Sequence, residues 1–99
     1  MALETPQEPF SELSTHTREL RRAVASLIEE LEAAQWYQQR VDACNDPQLK
    51  AILAHNRDEE KEHAAMLIEW IRRNDPAQAK ELKSYLFTEG WVTELEAGL

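Results

Sequence analysis

An all-α fold is predicted for this 99-residue chain: an antiparallel two-helix hairpin followed by a short C-terminal helix. Three observations carry that expectation. Breakers are rare, with glycines only at 90 and 98 and prolines at 6, 9, 47 and 76, so two long stretches contain neither. Within those stretches apolar residues recur at spacings of three, four and seven, the period of one helical face. The doublets Asp46-Pro47 and Asp75-Pro76 each set a capping carboxylate before a proline at the first helical position, which is a helix start signal.

The elements follow in order. Residues 1–10 carry two prolines and no periodicity, and are expected to form a flexible N-terminal tail. The hairpin with its short third helix is expected over 11–90. A first helix from about Ser11 to Cys44 has Leu20, Val24, Leu27, Leu31, Ala34 and Val41 on one stripe. Asn45-Asp46-Pro47 stops it and starts a second, running to about Asn74 with Leu49, Ile52, Leu53, Asn56, Ala64, Leu67 and Ile71 on its stripe. A third helix from Pro76 carries Ala79, Leu82, Tyr85 and Leu86 and is expected to end near Gly90 as a C-cap. Residues 91–99 form a C-terminal segment that can add another turn.

The first two helices span about 50 Å and about 42 Å at roughly 1.5 Å per residue. An antiparallel pair buries only one face of each helix, and the third is too short to cover both remaining sides. Self-association into a four-helix bundle is the expected way to complete the core. No internal repeat supplies the missing pair.

Composition removes several function classes. Nineteen acidic against 11 basic side chains give a net charge of −8, the wrong sign for nucleic acid or an anionic membrane surface. No apolar run approaches a membrane span, and the first residues lack the basic and apolar regions of a signal peptide. Cys44 is the single cysteine, which precludes an internal disulfide or a four-cysteine zinc site and suits a reducing cytosol. Ser-His-Asp constellations, phosphate loops and dinucleotide fingerprints are absent.

Charges stand where apolar residues are expected. At about 100° per residue from Leu49, the second stripe centres at about 10°, while Glu60 falls at about 20° and His63 at about 320°. An unpaired carboxylate there would cost several kcal/mol and demands a partner. A solvated gap or a buried arginine would satisfy it. The Glu60-Lys61-Glu62-His63 spacing offers another answer. Glu-x-x-His is an i,i+3 pair on one face able to ligate a single metal ion, with donors suited to iron or manganese and compatible with zinc.

On the first helix, measured from Leu27, Glu30 lies at about 300°, the edge of the stripe. Di-iron carboxylate bundles use a Glu from each of two helices and a Glu-x-x-His from each of the other two. This chain holds one of each, half a site, and two chains would bring four carboxylates to balance two divalent cations. Glu29 falls at about 200°, Glu32 at about 140° and Trp36 at about 180°. They make an acidic face around an indole that is either solvated or a second subunit contact able to gather cations. Tyr37, at about 280°, stands on the Glu30 side and is expected to serve mainly in packing. His16 and His55 read as surface residues and Cys44 as a small apolar filler.

These residues resemble one family. The run Ile52-Leu53-Ala54-His55-Asn56-Arg57-Asp58-Glu59-Glu60-Lys61-Glu62-His63-Ala64-Ala65-Met66 looks like the signature helix of the encapsulated ferritins. Glu29-Glu30-Leu31-Glu32-Ala33, Trp36-Tyr37 and Arg40-Val41-Asp42-Ala43 resemble that family's first helix, and Tyr85-Leu86-Phe87-Thr88-Glu89-Gly90 its short C-terminal segment. The resemblance implies a half-ferritin whose homodimers form a four-helix bundle and close into a ring-shaped decamer. It implies a ferroxidase oxidising Fe(II) to Fe(III) for iron storage, with Glu30, Glu60 and His63 as ligands of a di-iron centre shared between two subunits. Glu29 and Glu32 would form an accessory cluster for incoming metal, with Trp36 and Tyr37 beside the iron path. It further implies a cytoplasmic location inside an encapsulin shell, reached through a C-terminal targeting peptide that is not recognisable up to Leu99. Two other readings stand beside it: a di-iron redox enzyme of the rubrerythrin or bacterioferritin kind, and a non-catalytic acidic helical adaptor.

Overall fold

A computed structural model describes residues 6–98, and all regular structure among them is helical. A 3-10 turn, Phe10–Glu12, precedes α1 (Thr15–Ala43), α2 (Pro47–Asn74), α3 (Pro76–Tyr85) and α4 (Val92–Gly98). The three-residue connection between α1 and α2 folds them into an antiparallel hairpin, and α3 packs back on α2. No described helix is long and apolar enough to cross a membrane.

Capping chemistry sets the boundaries. α1 begins at Thr15, four residues later than the periodicity indicated, because Ser14 is extended and its hydroxyl accepts the Thr17 N–H at 3.0 Å. The residues before it are held separately. Arg18 and Arg21 stand 5.7 and 5.3 Å from the centroid of the Phe10 ring, and Arg18 Nη2 donates to the Phe10 carbonyl. Of the tail expected over 1–10, residues 1–5 lie outside the described residues, and residues 6–9 carry no helix.

Asp46 accepts the Leu49 N–H at 2.7 Å and Asp75 the Gln78 N–H at 3.1 Å, each ahead of a proline that opens its helix. Asp75 also ends α2, so a single residue makes the corner between α2 and α3.

The end of α3 differs from the sequence expectation. It stops at Tyr85 rather than near Gly90, because Leu86 turns extended and Phe87 takes φ 59°. That left-handed conformation costs a non-glycine residue roughly 1–2 kcal/mol. The Thr88 hydroxyl closes the turn on the Tyr85 carbonyl at 2.6 Å. Gly90, at φ 89°, serves the approach to α4 instead of capping α3.

The hairpin has a seam in place of a core. Its buried residues are Ala23, Ala34 and Val41 on α1 and Ala64 and Ile71 on α2. Alanines let the backbones approach. The contact line on α2 runs at about 50°, between Ala64 and Ile71, away from the apolar stripe's centre at about 10°. A second row on α2 stays open: Leu49, Ile52, Asn56, Glu59, His63, Met66 and Trp70, spaced alternately by three and four as in a coiled-coil seam. Ile52 and Met66 are 52% and 59% exposed, and Leu49 and Trp70 are also exposed. The radius of gyration is 17.4 Å, against about 13 Å for a compact domain of this length. The accessible surface is 7764 Å², about 2000 Å² more than a compact monomer of this mass presents.

Two expectations follow. Asp46→Ala removes the α2 cap and lowers stability by about 1 kcal/mol, read as a lower urea midpoint with an unchanged slope. At the far end of α2, Arg72 Nε and Nη2 (2.5 and 2.8 Å) and Arg73 Nε (2.8 Å) hydrogen-bond Glu69 and hold its carboxyl at about 2, below the ordinary 4.5. The stability this clamp contributes is present above about pH 4.5 and is lost as the pH falls through about 2. Glu69→Gln should therefore flatten the fall of melting temperature across that window, measured by circular dichroism.

Candidate metal centre

Three side chains converge on the open side of the seam. α1 presents Glu30, and one helical turn of α2 presents Glu60 and His63, whose i,i+3 spacing stacks them on one face. One ligand atom from each lies within 4.8 Å of the others. His63 Nδ1 stands 3.5 Å from Glu30 Oε2 and 3.6 Å from Glu60 Oε2. The glutamates are 28% and 23% exposed at their side chains and the histidine 42%, so the group is half-buried. The sequence placed Glu60 within the buried stripe. Glu60 lies about 30° from the contact line and is the least exposed of the three, whereas His63, about 90° away, stands at its uncovered edge.

Two oxygen anions and an imidazole nitrogen at these separations fit a divalent cation such as iron or manganese, with zinc also compatible. Without a cation, two carboxylates face each other across the helix pair with only the imidazole between them. Three donors from one chain also leave much of a six-coordinate ion's shell to be filled from the open side.

The other predicted residues lie elsewhere. Glu29 and Trp36 are exposed and Glu32 half-buried, on the part of α1 turned about 100–160° from Glu30. Among the described residues neither glutamate joins a group of three metal-ligating side chains. Tyr37 lies two turns, about 10 Å, beyond Glu30. It is half-buried, with the Arg40 guanidinium 5.0 Å over its ring. His16 is exposed, and Cys44 Sγ reaches the Asp46 carbonyl at 3.6 Å.

Two residues near the centre escaped the sequence reading. Glu59 sits between two histidines, with Oε1 3.5 Å from His55 Nε2 and Oε2 4.0 Å from His63 Nε2. The signal for it was the row His55-x₃-Glu59-x₃-His63, successive i,i+4 pairs along one face. Arg57 links the helices across the other side of the seam, its Nη1 donating to Gln38 Oε1 at 2.9 Å. Its Nε donates to Asp58 at 3.0 Å, which raises the guanidinium and lowers the Asp58 carboxyl from their ordinary values.

Comparison with known proteins covers nearly all of this structure. A family described as EncFtn-like matches residues 5–89. The "Encapsulated ferritin-like protein" of Rhodospirillum rubrum is 61% identical over 90 residues, which are 91% of this chain and 64% of that protein. The "Ferritin-like protein" of Thermotoga maritima is 54% identical over 89 residues, 90% of this chain and 78% of its own length. In Myxococcus xanthus, the "Encapsulin nanocompartment cargo protein EncC" is 47% identical over 66 residues, 66% of this chain and 51% of that protein. The chain thus spans less than two thirds of the length of the first and last of these relatives. A crystal structure of a protein from Nitrosomonas europaea superposes with a TM-score of 0.83 at 66% identity, over 89% of this chain and 97% of the other. With its two-helix fold and the Glu30–Glu60–His63 group both inside the matched span, this chain belongs to the EncFtn-like family.

Proposed function

We propose that the chain is a ferroxidase, oxidising Fe(II) to Fe(III) at a di-iron carboxylate centre that two copies complete. The observation that carries this reading is the position of Glu30, Glu60 and His63. A compact set of metal donors lies on an edge of the hairpin that its own helices leave open. A second hairpin packed on that edge gives a four-helix bundle, covers the open row from Leu49 to Trp70 and doubles the donors.

The charges then support the chemistry. Four carboxylates neutralise two ferrous ions, and His63 adds a neutral nitrogen from each side. When each iron gives up one electron, to dioxygen or peroxide as oxidant, the pair rises from +4 to +6 against a ligand charge of −4. Anionic oxygens fixed beside the iron favour the higher charge and so assist the loss of the electron. The remaining imbalance of +2 favours hydrolysis and departure of the ferric product. Glu29 and Glu32, beside the exposed Trp36, serve as an outer cluster for incoming cations in this scheme, and Tyr37 lines the iron path.

Dimers of this kind close into a ring-shaped decamer in the proposed assembly. In this reading the chain serves iron storage within an encapsulin compartment of the cytoplasm; its similarity to an encapsulated protein and to an encapsulin cargo protein supports the compartment. The shell protein is then its partner.

Ferrous ion added aerobically should raise ferric absorbance well above the buffer rate. Glu60→Ala and His63→Ala should both return it to near that rate; wild-type protein no faster than buffer would refute the proposal. Without metal, Glu60→Ala should melt at the same temperature as wild type or higher, because one of two opposed carboxylates is gone. Solution mass measured with and without iron should grow from a small species to a ring on metal addition.

A further inference from the structure

We propose that Glu59 is a positioning residue for His63, accepting the Nε2–H so that the Nδ1 lone pair points between the Glu30 and Glu60 carboxylates. The inference rests on the metal-centre reading above.

Nδ1 is the nitrogen that faces the donor oxygens, at 3.5 and 3.6 Å, while Nε2 is turned toward Glu59 Oε2 at 4.0 Å. A neutral imidazole carries one proton, and the nitrogen that binds a cation cannot be the one that holds it. Two carboxylates beside Nδ1 draw the proton to that nitrogen, which is the wrong one for ligation. An anionic acceptor on the opposite side of the ring counters that pull and fixes the ring's orientation, the role carboxylates commonly play behind metal-bound histidines.

Glu59 meets the requirement from within the same helix. It precedes His63 by one turn, and its other oxygen meets His55 Nε2 at 3.5 Å. The carboxylate thus stands between two imidazoles along one face of α2. Its 4.0 Å separation from His63 exceeds a hydrogen bond of about 2.7–3.2 Å, and rotation of the half-exposed glutamate side chain closes it. Glu60 cannot take this part, because it faces Nδ1.

Zinc(II), redox-inert and diamagnetic, provides the probe on the full chain. Long-range proton–nitrogen correlation spectra of the zinc-loaded protein, with His63→Gln identifying the resonances, should show the His63 proton on Nε2 and the metal on Nδ1. The reverse arrangement overturns the proposal. By calorimetry, Glu59→Leu should weaken zinc binding about 10–100-fold. Glu59→Gln, which loses the charge but keeps a carbonyl acceptor, should recover most of that loss. Equal losses in both variants would reduce Glu59 to a bulk charge, and undiminished binding in Glu59→Leu would remove it from the site altogether. Glu60→Ala separates the two levels of inference. Wild-type protein that binds no zinc refutes the metal centre and the proposal with it, whereas loss in Glu60→Ala beside intact binding in Glu59→Leu refutes only the role of Glu59. Melting curves confirm that each variant is folded.

Discussion

The structure turns on one constraint: two helices can hold a pair of carboxylates and an imidazole at their edge, but they cannot enclose them. Glu30 comes from one helix and Glu60 and His63 from the other, so the group exists only while the hairpin is closed. The hairpin's own packing, from Ala23 to Ile71, lies to one side of that group and leaves it half-exposed. A chain that places anionic oxygens opposite each other at the margin of a thin seam has two ways to relieve the repulsion, a cation or a proton. The geometry of the donors and the unfinished apolar row beside them favour the cation.

The same constraint links features that otherwise look unrelated. The exposed Leu49, Ile52, Met66 and Trp70 lie at the two ends of the row, with Asn56, Glu59 and His63 between them. The opposite side of the seam is closed differently, by the Arg57–Gln38 contact and by α3 packed on α2. The group of potential metal donors stands on the side left open.

The sequence disclosed most where structure is local. Asp46-Pro47 and Asp75-Pro76 specify their helix starts through contacts spanning three residues, so α2 and the beginning of α3 were legible directly. The start of α1 was misplaced because periodicity alone does not distinguish a helix from a 3-10 turn followed by a better cap, here Ser14. The end of α3 was misplaced because Gly90 offered an obvious stop, while Phe87 adopts a left-handed backbone that its residue type disfavours. Glu-x-x-His and Glu30 could be found from helical angles, but the angles assumed that the contact line follows the centre of the apolar stripe. It runs between Ala64 and Ile71. That displacement arises from tertiary packing that periodicity does not encode, whereas the placing of Glu59 between His55 and His63 was legible as i,i+4 spacing and was passed over.

The alanine seam has a mechanical consequence. Interaxial distance between packed helices depends on the side chains at the contact, within a range of about 8–10 Å. Three of the five buried residues between α1 and α2, namely Ala23, Ala34 and Ala64, have no side-chain rotamers to adjust, and the β-branched Val41 and Ile71 have few. The span from Glu30 to Glu60 and His63 is therefore gauged by a rigid spacer rather than by adjustable side chains. A methyl group here acts as a shim, and widening the gap between these side chains means parting the helices along their length.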